Sequence, residues 1–108
     1  MVLVVLESPY AGDVETNERY ARAAMRDCFS RGEAPFASHL LYTQPGVLDD
    51  TDPTERRIGI HAGFHWRRVA EKTVVYVDLG ISAGMQLGIN DALDCGQGVE
   101  MRRLEGWK

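Results

Sequence analysis

Short apolar runs alternate with segments of helical periodicity along the whole chain, and this alternation restricts the fold more than any other feature. Val2 to Leu6 is a nearly unbroken β-branched and leucine run, typical of a strand buried on both faces of a parallel sheet. Further strands are predicted at Ala34 to Leu41, Thr73 to Val77 and Val99 to Leu104. The β-α-β-α-β-α-β order predicts an α/β fold with a four-stranded, mostly parallel sheet, right-handed crossovers and helices on both faces.

The segments between these strands carry helix-start signals. Asp13 is a good N-cap for a first helix that ends near Gly32. Asp52-Pro53 joins a capping aspartate to a proline at the first helical position, and this second helix is predicted to run to about residue 70. Ser82 begins a third helix that ends near residue 95. Helices therefore connect all the predicted strands.

Bulk composition excludes several classes of protein. A chain of 108 residues supports one domain, residues 1–108, with one core. The formal charge of −4 without a basic run argues against a duplex nucleic-acid binder. No apolar run approaches the ~20 residues of a membrane span, and no signal-peptide pattern is visible. Cys28 and Cys95 are interpreted as reduced thiols of a cytoplasmic protein, with a disulfide as the alternative.

Open parallel sheets bind ligands in the crevice outside the carboxyl ends of their strands. This rule selects three segments, Glu7 to Asp13, Ser38 to Gln44 and Asp78 to Met85. In the last of these, Ser82 and the free N–H groups of a helix start favour a phosphate or a carboxylate. The alternative for this turn is a simple helix cap without a ligand.

Several side chains in these segments suit ligand contact, and each has a structural alternative. Asp78 can accept hydrogen bonds from ribose hydroxyls or act as an acid or base, or it is a turn aspartate. Tyr10 can stack on a base or is a packed aromatic, and His39 is either functional or structural. The predicted ligand-binding set is Ser8, Pro9, Tyr10, Gly12, Asp13, His39, Asp78, Gly80, Ser82, Gly84 and Met85.

Neither a metal ion nor a cofactor is predicted. His61 and His65 have metal-compatible spacing, but the intervening glutamate of a zinc protease helix and a third ligand are missing. The acids Asp49, Asp50 and Asp52 do not follow the spacing of an EF-hand, so they are interpreted as a solvated loop.

The second helix is apolar on more than one face. A helix with apolar residues on two faces is expected to be buried on both. In so small a domain, the second covering surface is predicted to be another subunit. A homo-oligomer is therefore predicted through this helix, with the contact residues Ile58, Ile60, Phe64 and Trp66.

Together, Ser8 to Asp13, His39 and Gly80 to Met85 resemble the motifs of the nucleoside 2-deoxyribosyltransferase-like superfamily, and most closely its small phage and bacterial members. The resemblance covers nearly the whole chain. It implies a flavodoxin-like three-layer sandwich, a homo-oligomer and a site for a nucleoside or nucleoside monophosphate. It also implies cleavage of an N-glycosidic bond by a glutamate nucleophile, with Tyr10 and Asp78 matching an assisting tyrosine and aspartate.

One position departs from the pattern that this resemblance implies. The nucleophilic glutamate would fall at Gly88, which has no side chain. Asp91 lies on a neighbouring helix face one turn deeper and is a poor substitute. Glu7, at the end of the first strand, is another carboxylate that can reach the crevice.

Three hypotheses follow from the sequence. The first is a nucleotide-binding sensor or sponge without turnover, which holds a ribose-containing nucleotide, NAD-derived or cyclic, in the setting of phage anti-defence. The second is a nucleoside or nucleotide N-glycosidase or deoxyribosyltransferase with a rearranged acid. The third is an oligomeric interaction protein with no small ligand.

Overall fold

The computed structural model describes residues 1–107, and all four strands in it are parallel, in the order β2-β1-β3-β4. In chain order the elements are β1 (Val2–Glu7), α1 (Val14–Ser30), β2 (Glu33–Phe36), α2 (Ser38–Leu41), α3 (Pro53–Arg67), β3 (Lys72–Tyr76), α4 (Ala83–Asp94) and β4 (Gly98–Arg102). The predicted flavodoxin-like α/β class is confirmed, with the change of winding direction between β1 and β3. Within residues 1–107 no helix is long and apolar enough to cross a membrane.

The predicted helix starts are confirmed because each depends on local hydrogen bonds. Asp13 caps α1 by accepting a bond from the Thr16 amide at 3.2 Å. Asp52 caps α3 in the same way, and Pro53 occupies the first turn. Ser82 caps α4.

The predicted second strand, Ala34 to Leu41, is wrong in its second half. β2 ends at Phe36, and the chain then forms the single helical turn α2. The amides of Leu40 and Leu41 both donate to the carbonyl of Ala37 at 3.1 Å, which turns the chain back over the end of the sheet. A short apolar run fits a strand and a buried helical turn equally well, so periodicity alone did not separate them.

Other boundaries of the helices and strands differ from the predictions by one to three residues. The second helix, α3, ends at Arg67 rather than near residue 70, because turns follow in which the amides of Arg68 and Val69 bond to carbonyls three residues back. The strands β3 and β4 begin one residue earlier than predicted, at Lys72 and Gly98.

The two faces of the sheet carry different layers. On one face, Ala24 and Cys28 of α1 pack against Val74. On the other face, Ile89 of α4 packs against Val75, and α3 lies beside α4. Since successive side chains of a strand point to opposite faces, residues of even number in β1 and β3 face α1, and residues of odd number face α3 and α4.

A buried ion pair joins the two edge strands on the α1 face. Arg102 of β4 donates from Nη1 and Nη2 to the two carboxylate oxygens of Glu33 of β2, both at 2.7 Å. Both residues are buried, and Lys72 also lies 3.3 Å from Glu33. The hydrogen bonds from Arg102 outweigh the effect of burial and lower the pKa of Glu33 to about 2.

This pair makes the free energy of unfolding depend on pH in the acid range. Because the pKa of Glu33 falls from an ordinary 4.5 to about 2 on folding, its contribution is full above pH 4.5 and is lost as the pH falls towards 2. We expect Arg102→Met to cost about 3 kcal/mol near pH 7 and to flatten this dependence, because it leaves a buried carboxylate without its main partner.

Urea unfolding at a series of pH values measures both effects. Arg31→Met is the matched control, since Arg31 pairs with Asp27 on the surface with a 44% exposed side chain and should cost less than about 1 kcal/mol. Equal losses for the two variants would contradict the prediction.

Candidate functional site

A cavity of about 190 Å³ opens at the carboxyl end of β1, between the loop that follows β1, the turn α2, the helix α3 and the first turn of α4. It is lined by Glu7, Ser8, Tyr10, Ala11, Ser38, His39, Tyr42, Thr43, Leu48, Asp50, Glu55, Arg56, Gly59, Ile60 and residues 82–85. The crevice is therefore at the switch point where the sequence placed it.

The first turn of α4 forms one wall of this cavity. Ser82 Oγ accepts a hydrogen bond from the Met85 amide at 3.3 Å, and Met85 Sδ accepts one from the Ser82 amide at 3.4 Å. The amides of Ala83 and Gly84 come before the first hydrogen bond within the helix, so they have no partner there. Gly80, with a φ of +87°, makes the turn before the helix but does not line the cavity.

Ser8 and His39 form a hydrogen-bonded pair in the cavity wall. Ser8 Oγ lies 2.6 Å from His39 Nε2, and Ser8 is only 4% exposed. Burial lowers the pKa of His39 to about 4, so its imidazole is neutral at pH 7 and has one donor and one acceptor nitrogen. The pair offers polar contacts without a charge.

Of the other predicted residues in the loop after β1, only one lines the cavity. Tyr10 lines the cavity, and its carbonyl accepts a hydrogen bond from Asn17 Nδ2 at 2.8 Å. Pro9 is buried next to it without lining the cavity. Gly12 lines an adjoining groove, and Asp13 is used in capping α1.

Glu7 is held at the floor of the cavity by a buried arginine. Arg67 is 2% exposed and donates from Nη2 to Glu7 Oε2 at 2.8 Å. It also donates to Asp91 Oδ2 at 2.9 Å and to Thr73 Oγ1 at 2.5 Å. Burial raises the pKa of Glu7 despite the opposing charge of Arg67. Asp91 is thus a partner of Arg67.

The second carboxylate oxygen of Glu7, Oε1, has no hydrogen-bond donor among the described residues. Among residues 1–107, no side chain or amide donates to Oε1, and no buried side-chain oxygen or nitrogen lacks a partner. Oε1 must therefore be accessible, and Glu7 lines the cavity. The carboxylate has one oxygen fixed by Arg67 and the other available to a ligand.

The carboxylate of Glu7 occupies the space above Gly88. A Cβ atom at residue 88 would collide with the Glu7 carboxylate, at 2.5 Å from its Cδ, and would lie 2.9 Å from Arg67 Nη2. Gly88 is buried in α4. A side chain at residue 88 and the present position of Glu7 therefore exclude each other.

Asp78 lies away from this cavity. Its Oδ2 accepts hydrogen bonds from Tyr20 Oη at 2.6 Å and from the Leu104 amide at 2.8 Å. Burial opposes ionisation, but these hydrogen bonds outweigh it and lower the pKa of Asp78. In this arrangement its carboxylate joins α1, the end of β3 and the segment after β4.

Arg56 and Asp50 line the cavity and are outside the predicted ligand-binding set. Arg56 Nη1 lies 3.2 Å from Asp50 Oδ2, and its Nη2 is 3.1 Å from the position that a Cβ of Gly84 would take. The signal available in the sequence was the start of α3 at Pro53, which brings Arg56 to the end of the helix next to the crevice. The acidic loop was instead interpreted as solvated throughout.

Comparisons with known proteins place the chain in a family. The structure is similar to the 2-deoxyribosyltransferase of the psychrotolerant bacterium Bacillus psychrosaccharolyticus, with a TM-score of 0.70, 13% sequence identity, and coverage of 99% of this chain and 76% of that chain. At this identity the likeness shows the fold alone. No curated protein sequence matches the chain. The family model described as Domain of unknown function (DUF7768) matches residues 2–102, and the chain therefore belongs to this family.

Proposed function

We propose that the protein binds a nucleoside or nucleotide in the cavity at the end of β1. The observation that carries this proposal is the combination, in one cavity, of the accessible Glu7 carboxylate, the neutral Ser8–His39 pair and the first turn of α4. A carboxylate accepts hydrogen bonds from ribose hydroxyls, while free helix amides favour an anion. The rings of Tyr10 and Tyr42, also in the wall, offer faces for a base.

In its most specific form, the proposal is a sensor or sponge that holds the ligand without changing it. The ligand would then be a ribose-containing signalling nucleotide, NAD-derived or cyclic, and the setting would be phage anti-defence in a cytoplasm. Cys28 and Cys95 are both unpaired, which suits a reducing compartment.

Incubation with a panel of nucleosides, nucleoside monophosphates and NAD-derived nucleotides, followed by filtration, tests this proposal. We expect a ligand to be depleted from the flow-through and recovered unchanged on heating. Ala83→Trp should abolish retention, because Ala83 lines the cavity and an indole there would fill it.

Gln86→Trp is the matched control, since Gln86 is exposed on the same helix and does not line the cavity. Retention that survives Ala83→Trp, or no retention of any compound by the unmodified protein, would contradict the proposal.

A second candidate function is cleavage of the N-glycosidic bond, and the position of Glu7 favours it. A carboxylate with one oxygen fixed and the other facing the cavity can attack the anomeric carbon or take a proton from an attacking water. In either case the bond to the base breaks with its electron pair on the base, which takes a proton from solvent water. After attack by the carboxylate, a water then hydrolyses the glycosyl ester of Glu7. Tyr10 remains a proposed assisting residue, whereas the structure places the carboxylate of Asp78 against Tyr20.

For this second function we expect Glu7→Gln to lower the rate of base release about 100-fold or more. Gly88→Ala should also lower it, because the added methyl group must displace the Glu7 carboxylate. Activity should rise with pH through a midpoint above 4.5, since burial raises the pKa of Glu7 and only the ionised form attacks. Chromatography of the released base measures all three effects.

Gly98→Ala is the matched control for the glycine variant, because a Cβ at Gly98 meets no atom within 4 Å. Thermal melting checks that Glu7→Gln remains folded, since the change leaves Arg67 with one carboxylate fewer. Full activity of both Glu7→Gln and Gly88→Ala would reject Glu7 as the reacting group.

Homo-oligomerisation through α3 is a further part of the proposal. Ile58 and Trp66 are 53% and 49% exposed, which leaves apolar area on the outer side of the helix. Ile60 lines the cavity, and Phe64 packs edge to face on His61, so both are already in contact within the chain.

We expect Ile58→Lys to convert the oligomer into a monomer in light scattering at micromolar concentration. Phe29→Lys is the matched control, because Phe29 is equally exposed, at 52%, but belongs to α1 on the opposite face of the sheet. A monomeric mass for the unmodified protein would reject this part of the proposal.

A further inference from the structure

Among residues 1–107, Arg56 is the one cationic side chain in the wall of the cavity. The other charged residues of the lining, Glu7, Asp50 and Glu55, are acidic. Two of these acids are engaged elsewhere, because Glu7 accepts from Arg67 and Glu55 Oε1 accepts from the Asp49 amide at 3.0 Å. The ion pair of Arg56 in the cavity wall is therefore made with Asp50.

Arg56 and Asp50 form one ion-pair contact, and both side chains are partly exposed. It joins Nη1 to Oδ2 at 3.2 Å, with side chains that are 34% and 23% exposed. An ion pair of this kind contributes little net free energy in water. The remaining N–H groups of the guanidinium make no other hydrogen bond within residues 1–107, so Arg56 can exchange its carboxylate for another anion.

The position of Arg56 determines where such an anion would lie. Nη2 is 3.1 Å from the point that a Cβ of Gly84 would occupy, so the guanidinium lies directly against the first turn of α4. The first turn of α4, in which the amides of Ala83 and Gly84 have no partner within the helix, lines the same cavity as Arg56. The guanidinium and the first turn of α4 therefore lie side by side in the cavity wall.

The geometry points to a ligand that carries a phosphate group, with Arg56 as its recognition residue and Asp50 as the carboxylate that the phosphate displaces. This inference rests on the proposed function and makes it specific: the cavity binds nucleoside phosphates in preference to nucleosides. A phosphate has more acceptor oxygens than a carboxylate and can bond the guanidinium and the helix amides at once. Asp50 then acts as an internal competitor that the phosphate has to displace from the guanidinium.

Two variants separate these roles, with isothermal titration of ribose 5-phosphate, ribose, and nucleosides with and without a 5′-phosphate as probes. We expect Arg56→Gln to weaken the binding of each phosphorylated probe about tenfold or more and to leave its unphosphorylated counterpart unchanged. Asp50→Asn should tighten the binding of phosphorylated probes by about two- to fivefold, because it removes the competitor. A gain in affinity cannot come from misfolding, so the second variant keeps the test informative.

Arg57→Gln and Asp94→Asn are the charge-matched controls, since both residues are exposed and neither lines the cavity. Neither should change the preference for phosphorylated probes.

The outcomes distinguish failure of the phosphate inference from failure of the proposed nucleoside or nucleotide binding. If nucleosides bind as tightly as their phosphates, or if Arg56→Gln lowers both equally, the inference is overturned and the proposed function stands. If ribose 5-phosphate binds through Arg56 but no nucleoside or nucleotide binds more tightly, the inference stands and nucleoside recognition is overturned. If no probe binds, both are overturned.

Discussion

The buried guanidinium of Arg67 is the interaction on which the functional end of the molecule depends. It extends from the last turn of α3 and bonds to Glu7 of β1, Thr73 of β3 and Asp91 of α4. A charge with 2% exposure is strongly unfavourable unless it is paired and its donors are satisfied, so these four elements must keep their relative positions. The carbonyl of Arg67 also accepts from Gln97 Nε2, which ties the start of β4 to the same cluster. The cavity lies between the elements that Arg67 joins.

The features that could be predicted from the sequence are those determined within a few residues. Asp13, Asp52 and Ser82 each cap a helix by accepting from an amide two or three residues along the chain, and that chemistry is visible in the sequence. The parallel direction of the strands followed from the alternation of strands and helices. The partners of Arg67 could not be predicted, because a hydrogen bond between distant segments leaves no periodic or local signal. The short turn α2 was not predicted, because its apolar residues fit the period of a helix and that of a strand equally well.

Glu7 and Asp78 show how the direction of a side chain decides between two sequence candidates. Both are acids near the carboxyl end of a central strand, and only Glu7 lines the cavity. Glu7 pairs with Val75 in the sheet, and Val75 packs against Ile89 of α4, so the side chain of Glu7 points to the same face. Asp78 follows Tyr76 by two residues, and Tyr76 faces α1. Asp78 accordingly meets Tyr20 of α1. The alternation of side chains along each strand is visible in the sequence, and it could have shown that Glu7 and Asp78 point to opposite faces of the sheet.

Gly88 and Glu7 are two parts of one structural feature. In the sequence alone, Gly88 on α4 indicates only that this position has no side chain. In the folded protein the same glycine provides the space in which the carboxylate of Glu7 lies, between α4 and Arg67. The crevice therefore has a carboxylate that comes from a strand and is held by an arginine on a third element. The absence of an acid at residue 88 is therefore not evidence that the cavity lacks one, and a change at either position has to be interpreted together with the other.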